Sequence, residues 1–212
     1  MKSEAAKLPA GVAVACAGGI PARAEALARQ FVAGGATALV SLGIAGGLDP
    51  ALSPGDVVIG GGVEDGDEVI AADGIWRNRL LAALPCSRLG LVHGAAKVAA
   101  TPEAKRALFA RRGAVVVDME SGAVARVAAG AGLPFAVIRV VADPAGRGLP
   151  RSAMAGLDAQ GNARPLAVIA GLLRRPGDLP GLIRVGLDSG AALSALGELV
   201  KIVGPALGFQ PL

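Results

Sequence analysis

The stretch Val115-Val-Val-Asp118-Met119-Glu120-Ser121-Gly-Ala-Val-Ala-Arg126 constrains the fold more tightly than any other part of the chain. Three consecutive β-branched apolar residues read as a strand covered on both faces, as in a largely parallel sheet. The small residues after Ser121 read as a helix that follows at once. Ligands of such sheets collect in the crevice beyond the carboxyl ends of the strands, so Asp118 and Glu120 stand where chemistry is done. A second apolar run, Phe135–Val141, ends in the same way in Ala142-Asp143-Pro144. The two acid-bearing strand ends are expected to face one crevice.

The rest of the chain alternates strand and helix in the manner of an α/β protein. Gly11–Cys16 is expected as a buried strand, broken at Ala17-Gly18-Gly19-Ile20-Pro21 and followed by a helix over Ala22–Ala33. The glycines read either as a tight turn or as backbone N–H groups lining an anion or nucleoside pocket at a helix start. Ala36–Ser41 is expected as the next strand. It runs into Gly43-Ile44-Ala45-Gly46-Gly47, where glycine lets another group approach the backbone. Val57–Ile59 reads as a strand, Glu64–Glu68 as a solvated acidic loop, and Gly74–Leu84 as a helix with Trp76 packed in it. Leu89–Gly94 reads as a short strand with the single histidine, His93, near its end. A lone histidine is structural first and a site residue second. Thr101-Pro102-Glu103 has the N-cap, proline and acid of a helix start, and Gly113 stops that helix after Arg112.

After the loop Pro144–Pro150, apolar segments run from Leu166 onward, broken at Pro176-Gly177, Pro180-Gly181 and Gly204-Pro205. Arg174, Arg175 and Arg184 lie beside apolar residues there. The segments read as helices covering the sheet, or as a greasy basic surface that touches a membrane or a lipid substrate.

With 53% hydrophobic and 18% charged residues, the chain supports one domain over residues 1–212, of which about 150–212 form a helical, apolar C-terminal extension. Four Phe, one Trp and no Tyr argue against a base-stacking platform, and a net charge of +4 from scattered Arg specifies no nucleic-acid partner. Cys16, Cys86 and one histidine make no metal-ligand set, so no metal is expected, and the thiols read as reduced, in a cytoplasmic protein. Glu4 and Lys7 precede any long apolar stretch, unlike a signal peptide. There is no apolar run of about eighteen residues to span a membrane.

Three motifs, Ser41-Leu-Gly43-Ile44-Ala45-Gly46-Gly47-Leu48 with Gly55-Asp56, Val117-Asp118-Met119-Glu120-Ser121, and Arg139-Val-Val-Ala-Asp143, resemble the nucleoside phosphorylase/nucleosidase family. Their order and spacing match the branch that holds methylthioadenosine/S-adenosylhomocysteine nucleosidase. The tail, with Asp143-Pro144, Leu149-Pro150 and Leu172-Leu-Arg-Arg-Pro176-Gly-Asp-Leu-Pro180, resembles the hopanoid-associated phosphorylases of bacterial hopanoid clusters. The resemblance implies a three-layer α/β fold with a central twisted, mostly parallel (mixed) sheet flanked by helices. It implies an enzyme that cleaves the N-ribosyl bond of a purine nucleoside, releasing adenine from adenosylhopane. The alternatives are a soluble methylthioadenosine-type nucleosidase and a catalytically inactive nucleoside-binding protein.

The family's roles carry over residue by residue. Asp143 matches the acid that protonates the leaving purine, a role for which burial must raise its pKa. Glu120 matches the carboxylate that accepts hydrogen bonds from the ribose diol, and Met119 the residue packed on the ribose face. Gly46 and Ala45 match the sugar or nucleophile side, and Val98 a backbone contact to the base, in place of the aromatic residue usual near Lys97. Glu4 aligns with a Glu near the nucleophile in the nucleosidase branch, although the strand that precedes it there has no counterpart in this chain. Ser41 and Ile44 stand where phosphorylases hold phosphate, and Arg23 would have to compensate for Ile44. Inorganic phosphate and water both stay open as acceptor, and no other cofactor is implied. Ala142 replaces a usual Ser beside the acid, which is expected to weaken its positioning by about 1 kcal/mol if that hydrogen bond is lost without replacement. The competing reading makes Glu120 and Asp143 structural partners of Arg126 or Arg139. The resemblance further implies a homodimer and a small nucleoside substrate, lipid-linked in the hopanoid case, with peripheral contact at the inner membrane.

Overall fold

The run that begins at Phe135 lengthens in the structure into a nine-residue strand, β6 (Phe135–Asp143), buried along nearly its whole length. The computed structural model describes residues 2–7, 12–154, 170–172 and 174–210. Around β6 stand β1 (Leu39–Gly47), β2 (Val57–Asp65), β3 (Glu68–Ala71), β4 (Arg88–Gly94) and β5 (Ala114–Asp118). The helices are α1 (Lys2–Ala5), α2 (Pro21–Ala33), α3 (Gly74–Ala83), α4 (Pro102–Arg112), α5 (Ser121–Gly130), α6 (Arg151–Met154) and α7 (Leu179–Val203).

The strand order is β3-β2-β4-β5-β1-β6, and β6 pairs back onto β2, so five strands close into a ring with β3 as an added hairpin arm. The α/β class with a mixed sheet flanked by helices is as expected. The balance differs from a mostly parallel sheet, because β2–β4, β4–β5 and β1–β6 are parallel while β1–β5, β2–β6 and β2–β3 are antiparallel. Closure uses register shifts at glycine-bearing steps, between Gly60 and Gly62 in β2 and between Ala45 and Gly46 in β1. Such bulges bend a strand and increase its twist, which curls the sheet.

Several boundaries depart from the sequence expectation for one reason: glycine-rich stretches that read as strand ends are strand interiors here. β1 continues through Gly43, Gly46 and Gly47, and β2 continues through Gly60–Gly62 to Asp65. A Cβ on Gly46 would come within 3.2 Å of Val117 and one on Gly47 within 3.2 Å of Val141, so glycine is what lets β1 lie against β5 and β6. Glu64 is correspondingly not in a solvated loop. It is 1% exposed on β2, with His93 Nδ1 at 2.7 Å and Arg111 at 3.1 Å. The strand expected over Gly11–Cys16 does not form among its described residues: 12–16 run without strand pairing, and Gly11 lies outside the described residues. Residues 166–169 of the expected apolar tail also lie outside them.

Two apolar layers flank the sheet. Ala28, Ala125 and Ala128 of α2 and α5 pack with Val58, Val116, Val137 and Val141. Trp76 and Leu80 of α3 and Ala192, Leu196 and Leu199 of α7 pack with Ile59, Ile138 and Val140. α4 starts and stops as expected: Thr101 Oγ1 accepts from Ala104 N at 3.2 Å, and Gly113 takes a left-handed φ of 70°. Pro180-Gly181 does not break α7 but sits in its first turn, where proline's fixed φ is tolerated. No described helix is long and apolar enough to cross a membrane.

α7 is thus part of the core, and the two faces of this helix should respond differently to truncation. Leu196→Ala, at a fully buried position, is expected to lower the unfolding free energy by about 2–5 kcal/mol in urea titration. Leu187→Ala, at a position 69% exposed, is expected to change it by no more than about 0.5 kcal/mol.

Candidate active site

Arg139 is the one charge within the apolar body of β6, and it is 2% exposed. Its Nε donates to Asp118 Oδ2 on β5 at 2.5 Å, its Nη1 to the Ile138 carbonyl at 3.0 Å, and its Nη2 to Ser41 Oγ on β1. The other Asp118 oxygen accepts from the backbone N–H groups of Glu120 and Ser121, each at 2.8 Å. Burial alone would raise the Asp118 carboxyl, but the Arg139 charge and these N–H donors outweigh it and hold it below the usual range. Asp118 is therefore framework: it anchors the turn that carries Met119 and Glu120 and starts α5.

The carboxyl ends of β5 and β6 and the glycine-rich part of β1 open onto one cavity of about 290 Å³. Asp143, Glu120, Met119, Gly46, Ala45 and Val98 all line it. Glu4 lines it too, although it comes from α1 far away in sequence. Arg23 does not reach it, being exposed on α2. His93 is likewise turned to Glu64 rather than into the cavity.

Glu120 Oε1 accepts from Gly19 N at 2.6 Å. Gly18 and Gly19 have φ of 72° and 77°, a backbone region that favours glycine, and both line the cavity. The glycine turn before α2 thus serves the site by presenting an N–H to the carboxylate. Glu4 Oε1 accepts from Ile44 N at 2.9 Å. A Cβ on Gly43 would sit 2.7 Å from that same oxygen and 3.8 Å from Arg139 Nη1, so the missing side chain is what admits the carboxylate beside the guanidinium.

Asp143 ends β6 with its side chain 17% exposed. Burial raises its carboxyl above the ordinary range, opposed by Lys105 and Arg147, with Asp188 adding a smaller push upward. The ion pairs weighed from sequence do not form: Arg139 holds Asp118, while Arg126 pairs with Asp65 and Glu25. The partner of Asp143 is instead Lys105, at 2.5 Å. Lys105 gives no sequence signal, because α4 otherwise reads as a polar surface helix. Arg139 did give one, as a single charge in a buried run. Val185 and Ser189 of α7 also line the cavity, and nothing in the local sequence marks them. Among the described residues no cluster of three or more His, Cys, Asp or Glu side chains could hold a metal ion.

The chain belongs to the Phosphorylase superfamily, whose family profile matches residues 5–173. It is 34% identical over 139 residues to a 5'-methylthioadenosine/S-adenosylhomocysteine nucleosidase of Marinomonas sp. (strain MWYL1), an alignment covering 54% of this chain and 59% of that protein. The chain therefore spans well under two thirds of that relative. Among solved structures, the 5'-methylthioadenosine/S-adenosylhomocysteine nucleosidase of Neisseria meningitidis in complex with methylthio-immucillin-A shares the fold with a TM-score of 0.64 at 18% identity, covering 95% of each chain. The futalosine hydrolase of Helicobacter pylori does so with a TM-score of 0.58 at 15% identity, covering 85% of this chain and 75% of that one.

The Asp118 environment predicts a pH dependence of stability. A carboxyl held low in the folded state contributes stability that is fully present above its unfolded value, about 3.9, and is lost as the pH falls through the folded value. Asp118→Asn should therefore be much less stable than the wild type at pH 7, by about 3–5 kcal/mol for a broken buried pair. The gap should narrow as urea titrations are taken from about pH 5 down toward pH 2. A gap of constant size would show that Asp118 is not held ionised.

Proposed function

We propose that the protein cleaves the N-ribosyl bond of an adenine nucleoside and releases the base. One observation carries this reading: a single cavity joins Asp143, a part-buried carboxyl held above its ordinary range, to Glu120, a carboxylate oriented by Gly19 N–H, with Met119 between strand end and helix. Breaking the bond develops positive charge on the sugar and negative charge on the purine. Asp143 gives its proton to the five-membered ring of the leaving base. Glu120 accepts hydrogen bonds from the two ribose hydroxyls, and Met119 packs on the sugar.

Water is the acceptor in this proposal. Glu4 lies at the Ile44 N–H beside Arg139, so a carboxylate occupies the place an anion would take, and it is suited to receive a proton from water. The proposed substrate is adenosylhopane. A cavity of about 290 Å³ accommodates a nucleoside, and a larger 5′ group would leave past Leu149, Val185 and the half-exposed Val98. Leu179, Ile183 and Leu187 stand exposed on successive turns of α7, with Arg174, Arg175 and Arg184 also exposed, which suits contact with a lipid surface. Homodimerisation and action at the cytoplasmic face of the inner membrane belong to the same proposal. The second reading is a methylthioadenosine/S-adenosylhomocysteine nucleosidase, favoured by the Marinomonas relative.

The test is adenine release by the purified protein from adenosylhopane and from methylthioadenosine, each with and without phosphate. Release is expected without phosphate, faster from adenosylhopane, and about 10²–10⁴-fold slower in Asp143→Asn. A strict need for phosphate would overturn the choice of water, and preference for methylthioadenosine would favour the second reading. A folded protein that binds nucleoside but releases no base would be a binding protein.

A further inference from the structure

Lys105 is a fully buried lysine on a helix whose other side chains are mostly exposed. Its Nζ donates to Asp143 Oδ2 at 2.5 Å and to the carbonyls of Pro144 and Arg147 at 2.9 Å each, with the Asp143 carbonyl further off at 3.4 Å. An ammonium has three protons, and three short contacts use all of them. A buried charge satisfied in this way is rigidly placed, because any rotation leaves a proton or an oxygen unpaired in a medium that penalises both. The three backbone oxygens belong to residues 143–147, so the same ammonium fixes the carboxyl and the chain that follows it. Oδ2 is committed to Lys105, which leaves Oδ1 as the oxygen open to a ligand in the cavity.

We propose that Lys105 is the positioning residue of the Asp143 acid: it holds Oδ2 and the backbone of residues 143–147 in one arrangement, so that Oδ1 carries the transferable proton, and its charge makes that proton easier to give up. The proposal rests on the reading of Asp143 as the acid. In the step, the Oδ1–H bond breaks and an N–H bond forms on the purine ring, while the electron pair of the C–N bond leaves with the base. Water adds through its oxygen to the anomeric carbon and passes its proton to Glu4. Asp143 is left as a carboxylate paired with Lys105, which keeps all its protons; Glu4 then releases its proton to solvent, and solvent returns one to Asp143.

The charges around Asp143 come from each element packed on it. Lys105 of α4 and Arg147 of the following loop favour its ionised form, and Asp188 of α7 opposes it while itself pairing with Arg147 at 2.5 Å. The cavity walls add Glu4, Lys97, Asp118, Glu120 and Arg139. Burial pushes the carboxyl up and Lys105 is the main group pulling it back. Removing the lysine charge should therefore strengthen the hold on the proton, extending activity to higher pH while weakening the acid.

The experiment compares wild type, Lys105→Met, Lys105→Gln and Lys105→Arg, with thermal unfolding to establish which are folded. Two quantities are read. One is the titration midpoint of the Asp143 carboxyl in the ligand-free protein by ¹³C NMR, assigned by its absence in Asp143→Asn. The other is the alkaline limb of kcat/KM for base release. Both neutral variants are expected to move the midpoint and the limb upward by about one pH unit or more, with a lower plateau rate. Lys105→Arg is expected to keep both near the wild-type position. A folded neutral variant whose midpoint does not move overturns the proposal, as does a loss of rate equal at every pH. If no variant and no wild type releases base, the function reading fails, while the carboxyl titration still decides whether Lys105 controls Asp143. Should both neutral variants unfold, a Lys105→Arg midpoint displaced as far as one pH unit upward would overturn it.

Discussion

The open end of the barrel depends on how one buried guanidinium is satisfied. A charge inside a protein costs several kcal/mol unless its donors find acceptors, and Arg139 finds them on three strands: its own β6, β5 through Asp118, and β1 through Ser41. Meeting that requirement sets β1, β5 and β6 side by side at the end where their acids emerge. Glycine at positions 46 and 47 lets the strands come close enough, and glycine at 43 leaves room for Glu4 beside them. Asp118 passes the constraint on, since its second oxygen holds the N–H groups of Glu120 and Ser121. A packing demand in the sheet thus becomes the placement of a ligand-facing carboxylate.

The two strand-end aspartates then diverge by environment. Asp118 is deeply buried beside Arg139 and held ionised below the usual range, while burial of Asp143 raises its carboxyl. Titratable groups pushed apart in this way can serve different roles at one pH. Asp118 keeps the frame, and Asp143 is left able to carry a proton. The glycine turn before α2 completes the arrangement by giving Glu120 a donor at Gly19.

Much of this was legible from residues. Val115–Val117 and Phe135–Val141 are continuous apolar β-branched runs with acids at their ends, and they are the two strands that carry Glu120 and Asp143 into the cavity. Thr101, Pro102 and Gly113 marked α4 because capping chemistry is local. What was illegible depends on distant partners. Gly43–Gly47 and Gly60–Gly62 looked like strand ends, since glycine weakens a strand unless a neighbour needs the space, and sequence does not reveal the neighbour. Glu64 looked solvated because its partners His93, Arg111 and Arg112 lie on other elements. Lys105 carries no signal in the sequence, since the oxygens that hold it belong to residues 143–147. Arg23, expected to compensate for Ile44 at a phosphate site, is exposed on α2 and does not line the cavity.

The most direct measurement is a crystal structure of the protein with a purine nucleoside analogue whose N-ribosyl bond cannot break. The account predicts the ribose diol within hydrogen-bond distance of Glu120, Met119 against the sugar, and a nitrogen of the five-membered ring within hydrogen-bond distance of Asp143 Oδ1. An analogue seated elsewhere, or seated in the cavity with its base turned away from Asp143, would contradict it.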